Sequence, residues 1–155
     1  MTELTTPSKT DLALSRAFDA PRERVFAAFT TPAVLLKWFW GPDPWRLAVC
    51  ETDFQPGGAL RYVWRHPEQG DMGLRGRVRE VKAPERIVHT ELYDVDWTGG
   101  ETTVTTEWRE EGAGTRVRIT VRFKTEEARD GALQAPITEG TEQSYRRLDA
   151  ILAQP

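Results

Sequence analysis

Residues that usually build metal sites and disulfides are scarce in this sequence. Its 155 residues include one cysteine, Cys50, and two histidines, His66 and His89. One cysteine excludes an intramolecular disulfide and a zinc site built from several cysteines, and two histidines far apart in sequence make a poor metal site. We therefore predict that no metal is bound, and the scarcity of cysteine favours the reducing cytoplasm. Cys50 has no base beside it in sequence, so we interpret it as a small core residue rather than a nucleophile.

Long apolar runs are missing as well. The longest, from Val34 to Trp40, is interrupted by Lys37, and the N-terminus has no basic stretch followed by an apolar one. These features predict neither a signal peptide nor insertion in a membrane.

An excess of positive charge is also absent. The formal net charge is −3, and the arginines that cluster in sequence alternate with other residues. Such alternation is typical of the solvated outer face of a sheet. The two clusters are Arg75, Arg77, Arg79 and Arg116, Arg118, Arg122. We predict no binding to nucleic acid.

Signatures of nucleotide binding and of a serine nucleophile do not occur. No glycine-rich loop is followed by Lys-Ser or Lys-Thr, so Gly57-Gly58 is interpreted as a turn. The sequence contains no Gly-x-Ser-x-Gly motif either. On these grounds we predict no cofactor.

The clearest pattern that is present is a helix at Ile137–Leu152. Apolar or small residues recur there at steps of three and four, and Pro136 fits the first turn of a helix. The N-terminal half of this face is small or weakly polar at Gly140, Thr141 and Ser144, whereas the other half is apolar. We expect the helix to pack firmly at its second half and to leave space at its first.

The middle of the chain alternates with a period of two, which indicates strands. They are separated by turns rich in glycine and proline, and such short connections favour antiparallel hairpins. The predicted strands are Arg46–Phe54, Ala59–His66, Met72–Lys82, Arg86–Tyr93, Thr102–Arg109 and Thr115–Lys124. A further strand, Asp11–Phe18, precedes two short helices that begin near Pro21 and Pro32.

These elements predict one α+β domain over residues 1–155, a length that suits a single domain. Its order is β-α-α-β-β-β-β-β-β-α, with a curved antiparallel sheet of about seven strands wrapped round the final helix. Residues 1–9 are polar and are predicted to be a loose leader.

Strand parity collects apolar side chains on the concave face of this sheet. The residues assigned to it are Leu60, Tyr62, Trp64, His66, Leu74, Gly76, Val78, Ile87, His89, Glu91, Tyr93, Val104, Thr106, Trp108, Val117, Ile119, Val121 and Phe123. This face and the final helix would enclose a core.

Several stretches resemble a known family. They are Phe18–Phe26, Thr31-Pro32 running to Trp38, Gly41-Pro42 and Asp53–Gly58. They are similar to proteins like the C-terminal domain of the activator of the heat-shock chaperone's ATPase, within the START and birch-pollen-allergen (SRPBCC) superfamily of helix-grip folds. The resemblance extends from Thr10 to Leu152. It implies a sheet that grips the C-terminal helix over a cavity for a small apolar or aromatic molecule.

An aromatic run, Trp38-Phe39-Trp40 followed by Trp45, is our candidate for the mouth of this cavity. The alternative is that these rings only cap the core, because pockets and cores are lined by the same residue types. The predicted ligand-binding residues are Trp38, Trp45, Tyr62, Trp64, Glu91, Trp108, Thr141 and Tyr145.

Glu91 and His89 are the candidates for chemistry. They lie two residues apart on the concave face, where a carboxylate beside an imidazole could move a proton near neutral pH. The resemblance also implies a glutamate at position 91, so Glu91 is our first choice for a polar group that faces a ligand. The alternatives are a purely structural hydrogen bond and a strand end that turns both side chains to water.

Three functions follow from these features. The leading hypothesis is a protein that binds a small hydrophobic molecule and needs no catalytic step. The second is a cyclase or hydrolase in which Glu91 and His89 act on an aromatic or polyketide-like substrate. The third, a chaperone-binding module, is disfavoured because the activator carries this domain as one half of a longer protein. The sequence leaves a homodimer open.

Overall fold

An antiparallel sheet of eight strands forms the body of the structure, a computed structural model that describes residues 1–155. The strands are β1 (Glu3–Thr5), β2 (Asp11–Phe18), β3 (Arg46–Thr52), β4 (Ala59–His66), β5 (Gly70–Lys82), β6 (Arg86–Tyr93), β7 (Thr102–Glu111) and β8 (Gly114–Arg122). Their order across the sheet is β1-β2-β8-β7-β6-β5-β4-β3. Consecutive strands from β3 to β8 are neighbours, as short turns require, and β2 closes the series by pairing with β8.

Four helices accompany the sheet: α1 (Arg22–Thr30), α2 (Pro32–Trp38), α3 (Glu126–Ala132) and α4 (Ile137–Leu152). The long final helix α4 has the bounds that its periodicity predicts, because its buried positions recur at steps of three and four. The predicted α+β class, with a curved antiparallel sheet and a long C-terminal helix, is confirmed. No helix has the length and apolar content that crossing a membrane would take.

The sheet bends where its pairing is irregular. The register shifts between Leu47 and Val49 in β3 and between Val78 and Glu80 in β5. In the same part of β5, a Cβ atom on Gly76 would lie 1.9 Å from the carbonyl oxygen of Thr90, so only glycine allows the two strands to approach this closely. Bulges and glycines of this kind curve a sheet, which here folds round α4.

The N-terminal segment differs from the prediction. The sequence predicts seven strands and a loose leader at residues 1–9, and both predictions are wrong here. Residues Glu3–Thr5 pair with β2 as an eighth strand. Thr2 is only 4% exposed, and its backbone N–H and its hydroxyl both donate to Glu142 Oε1, at 2.8 and 2.7 Å. A polar edge strand of three residues has no apolar alternation, so only these contacts reveal it.

Helix α3 is a second element that the sequence analysis did not predict. Thr125 caps its N-terminus, since the Thr125 hydroxyl accepts a hydrogen bond from Ala128 N at 3.0 Å. Arg129 is buried, and its Nη1 donates to the carbonyl oxygens of Ser8 and Asp11 at 2.6 and 3.0 Å. The helix therefore connects the end of β8 to the beginning of β2.

The second half of α4 packs on an aromatic core, as expected. The ring centroids of Phe18 and Tyr145 are 4.9 Å apart, and those of Phe29 and Trp38 are 4.8 Å apart. Leu148 is fully buried in the same cluster. Burying each of these side chains contributes roughly 1.5–3 kcal/mol, more than an exposed ion pair.

An ion-pair cluster centred on the buried Arg16 fixes α4 against β2. Arg16 Nη2 lies 3.1 Å from Glu142 Oε2 and 2.7 Å from Asp149 Oδ2. Burial by itself would raise the pKa of Glu142, but hydrogen bonds from Arg16 and Thr2 outweigh it and lower that pKa to about 2. The hydrogen bond to Asp149 raises the pKa of Arg16. Arg16 and Glu142 are therefore both charged at neutral pH.

Candidate ligand-binding cavity

A cavity of about 510 Å³ lies between the concave face of the sheet and the N-terminal half of α4. Of the 36 residues that line it, 25 are hydrophobic. This volume and this composition fall within the usual range of small-molecule sites. The geometry is therefore that of a pocket for an apolar molecule of drug-like size.

The cavity opens at one end of the sheet. The lining residues that are exposed there are Pro42, Met72, Trp97, Ala135 and Pro136. Met72 lies near the start of β5, next to the β4–β5 turn, and the others belong to the connections from α2 to β3, from β6 to β7 and from α3 to α4. These connections meet at the same end, because antiparallel strands alternate in direction. The aromatic core packs towards the opposite end, where β2 ends at Phe18.

All the sequence-predicted site residues line this cavity. They are Trp38, Trp45, Tyr62, Trp64, His89, Glu91, Trp108, Thr141 and Tyr145. Parity brings the strand residues together because they alternate onto one face, and Thr141 and Tyr145 lie on the face of α4 that is turned to the sheet.

Trp38 and Trp45 occupy different positions in the cavity wall. Trp38 is 1% exposed, and its indole N–H donates to the carbonyl oxygen of Ala28 at 3.1 Å. It therefore belongs to the inner wall and not to the mouth. Trp45 is half-buried, and its ring lies 5.0 Å from that of His66. Of the two, only Trp45 has the exposure of a residue near the opening.

The carboxylate and the imidazole of the predicted pair are in contact. His89 Nε2 lies 2.9 Å from Glu91 Oε2, and the side chains are 12% and 21% exposed. If Nε2 carries the hydrogen and donates it to the carboxylate, Nδ1 is an acceptor lone pair, and this atom is buried without a partner. His66 has another role: its Nδ1 accepts hydrogen bonds from the backbone N–H groups of Glu68 and Gln69, each at 3.0 Å.

Three tyrosines add hydroxyl groups to the wall. Tyr62, Tyr93 and Tyr145 line the cavity, and none of their hydroxyls takes part in a hydrogen bond within the protein. Burial raises the pKa of all three phenols. They therefore remain protonated and can donate to a bound molecule.

Cys50 offers no nucleophile to this site. The thiol is half-buried and is not part of the cavity wall. Burial raises its pKa to about 11, which keeps it protonated and unreactive at neutral pH.

Trp97 is the site residue that the sequence analysis missed. No role is assigned to Trp97 from the sequence, yet it lines the opening with 46% of its surface exposed, and its ring is 5.3 Å from that of Tyr93. A tryptophan in a glycine-rich connection is a signal that could have identified it, because a large apolar ring in a turn usually has a packing partner.

The small residues of α4 have two roles, of which the sequence analysis predicted one. Gly140, Thr141 and Ser144 do border the cavity. However, Gly140 also lies against Pro42, where an added Cβ would be 3.0 Å from Pro42 Cδ, and Ser144 Oγ accepts a hydrogen bond from Gly41 N at 2.8 Å. Their small size therefore also admits the connection between α2 and β3.

Comparison with known proteins places this geometry in a family. The sequence profile described as activator of Hsp90 ATPase homolog 1-like protein matches residues 19–153. The chain belongs to this family. Membership agrees with the resemblance noted in the sequence and with the helix-grip superfamily to which the family belongs. None of the curated proteins matches the chain significantly.

Solved structures of similar proteins have the same fold. A crystal structure from Rhodobacter sphaeroides is 38% identical, covers 98% of this chain and 97% of its own, and has a TM-score of 0.92. A protein named AHSA1 from Silicibacter pomeroyi is 28% identical, with coverages of 92% and 97% and a TM-score of 0.72. Protein Ms6760 from Mycobacterium smegmatis, at 22% identity, coverages of 99% and 98% and a TM-score of 0.86, shares the fold.

Proposed function

We propose that this protein binds a small, mostly apolar molecule in the cavity between the sheet and α4. The observation that carries the proposal is the cavity itself, which has about 510 Å³ and a wall of mainly hydrophobic residues. Its size suits such ligands, and the helix-grip family to which the chain belongs commonly binds hydrophobic molecules. Binding needs no catalytic step, and we expect it to take place in the cytoplasm without membrane insertion or nucleic acid.

Filling the cavity tests this proposal. We expect Thr141→Phe to weaken binding of the fluorescent probe N-phenylnaphthylamine at least about tenfold, because the larger ring occupies ligand space. Thr103→Phe is the matched control, since Thr103 is exposed on the outer face of β7. Fluorescence titration measures both variants. Equal affinity of Thr141→Phe and wild type would contradict binding in this cavity. Native mass spectrometry of freshly purified protein would reveal a retained ligand.

The contact between His89 and Glu91 favours one second candidate, an enzyme of the cyclase or hydrolase type that acts on an aromatic or polyketide-like substrate. A carboxylate held by an imidazole inside an apolar cavity can accept or deliver a proton. Glu91→Gln keeps the shape of the side chain and removes the titrating proton. An enzyme would then lose turnover and still bind its substrate. A carrier of neutral ligands has no turnover to lose and would bind its ligand nearly as before. Product analysis of a screened ligand library makes the measurement.

The sequence is compatible with a homodimer, and binding to the heat-shock chaperone is disfavoured. A pulldown with the chaperone tests the latter directly.

A further inference from the structure

We propose that the cavity selects uncharged aromatic or polycyclic molecules that carry a hydroxyl group, and rejects organic acids, because Glu91 is the one acidic side chain of its wall and no lysine or arginine lines it. This inference rests on the proposed function and specifies the ligand class of the same site. It follows from the charges and hydrogen-bonding groups that the wall presents.

The first step is the charge of the wall. The residues that line the cavity include Glu91 and no lysine or arginine. The nearby arginines are already paired: Arg16 with Glu142 and Asp149, and Arg147 with Asp43 and the carbonyl oxygen of Gly41. A carboxylate or sulfonate on a ligand would therefore meet one negative charge and no positive one, in a setting where water screens little.

The second step is the unmet hydrogen-bonding capacity of Glu91. His89 occupies Oε2 at 2.9 Å, while Oε1 accepts no hydrogen bond from the protein. Arginine and lysine donors are absent from the wall, and no other side chain of the protein donates to this oxygen, so it is free to accept a hydrogen bond from a molecule in the cavity. A partly buried carboxylate oxygen is stabilised by such a donor.

The third step is the position of the two nearest phenols. Tyr62 and Tyr93 both face Leu74 across the sheet, one from each side, and Glu91 precedes Tyr93 by two residues on the same face. Burial raises the pKa of both phenols, and the negative charge of Glu91 adds to the rise, which reflects its proximity to both. An acceptor and two phenol donors thus share one region of a mainly hydrophobic wall.

A hydroxyl group fits this arrangement better than other simple groups. It can donate to Glu91 Oε1 and accept from a tyrosine hydroxyl at the same time. An ether or ketone only accepts and leaves the carboxylate unpaired. A carboxylate on the ligand also leaves Glu91 without a donor, and its negative charge is repelled by that of Glu91. A site built to hydrogen-bond a hydroxyl discriminates against analogues that lack it, because its own polar groups are then left unpaired.

The test of charge selection uses two probes that differ by one sulfonate, N-phenylnaphthylamine and anilinonaphthalenesulfonate. Titrations are made near pH 8, where imidazole side chains are ordinarily neutral. In Glu91→Gln we expect the sulfonate probe to gain about tenfold in affinity while the neutral probe changes by less than about threefold, since only the charge is removed. Glu51→Gln is the matched control, because Glu51 is exposed on β3 and is absent from the cavity wall.

The test of the hydroxyl requires no variant. Wild-type protein should bind naphthol at least about tenfold more tightly than methoxynaphthalene, which has the same rings and no donor. Thermal melts confirm that each variant is folded. If no neutral probe binds to the wild type, the proposed function itself fails. If neutral probes bind but naphthol binds no more tightly than methoxynaphthalene, only the selection by Glu91 is overturned. The same holds if Glu91→Gln leaves the ratio of the affinities for the sulfonate probe and the neutral probe unchanged.

Discussion

Single residues of the cavity wall differ in how much they serve packing and how much they serve a ligand. Trp38 and Trp45 come from the same aromatic run, and sequence alone does not separate them, because a tryptophan suits a core and a pocket equally well. The structure does: Trp38 is 1% exposed with its N–H bonded to Ala28, whereas Trp45 is half-buried beside His66. The difference comes from the hydrogen bond and the neighbouring rings, which no local pattern encodes.

We expect Trp38→Ala to lower the free energy of unfolding by about 3–5 kcal/mol, as for other large buried rings. Trp45→Ala should cost only about 1 kcal/mol and weaken binding of N-phenylnaphthylamine by more than that loss implies. Urea denaturation and probe titration of both variants make the comparison. If Trp45→Ala proves as destabilising as Trp38→Ala, both rings belong to the core and the distinction between them fails.

At the scale of elements, the sequence predicts what is periodic and misses what depends on distant contacts. Strands β2 to β8 are predicted by the alternation of apolar and polar residues, and helix α4 by apolar residues at steps of three and four. Helix α3 has seven mostly polar residues and no apolar stripe, and what holds it is the buried Arg129 bonded to Ser8 and Asp11. Strand β1 is likewise held by Thr2 and Glu142, 140 positions apart.

The candidate site divides in the same way. Strand parity is sufficient to predict which side chains line the wall, including His89 and Glu91, since it fixes the face of each strand residue. The opening is predicted only in part: the aromatic run includes Trp45, but Trp97 and Ala135-Pro136 lie in connections whose positions depend on the loops that they contact. Gly140 illustrates the limit: its lack of a side chain was interpreted as space, and it also accommodates Pro42.

For the whole molecule, the contacts of Glu142 connect three parts of the chain that are distant in sequence. Its carboxylate accepts hydrogen bonds from Thr2 before β1, from Arg16 in β2, and from Arg146 one turn further along α4. The side chain is 11% exposed, so solvent screens these interactions little. A charge in this position stabilises the closed arrangement of sheet and helix, on which the cavity depends.

This cluster predicts a loss of stability in acid. The folded pKa of Glu142 is about 2, below its ordinary value of 4.5, so the folded state binds the proton less tightly than the unfolded state does. The stabilisation is therefore complete above about pH 4.5 and is lost as the pH falls towards 2. Linkage puts it at about 3 kcal/mol. Wild type should exceed Glu142→Gln by about this amount near pH 7, and the difference should shrink steadily in acid.

Urea denaturation of the two proteins at a series of pH values measures this difference. Glu51→Gln again serves as control, because an exposed carboxylate should contribute almost nothing at any pH. The comparison between variants removes the contribution of other carboxylates, such as Asp11, whose hydrogen bond from Arg122 also lowers its pKa. A difference between wild type and Glu142→Gln that does not change between neutral and acid pH would show that the charge of Glu142 does not stabilise the fold, and that its neutral hydrogen bonds to Thr2 hold the N-terminus instead.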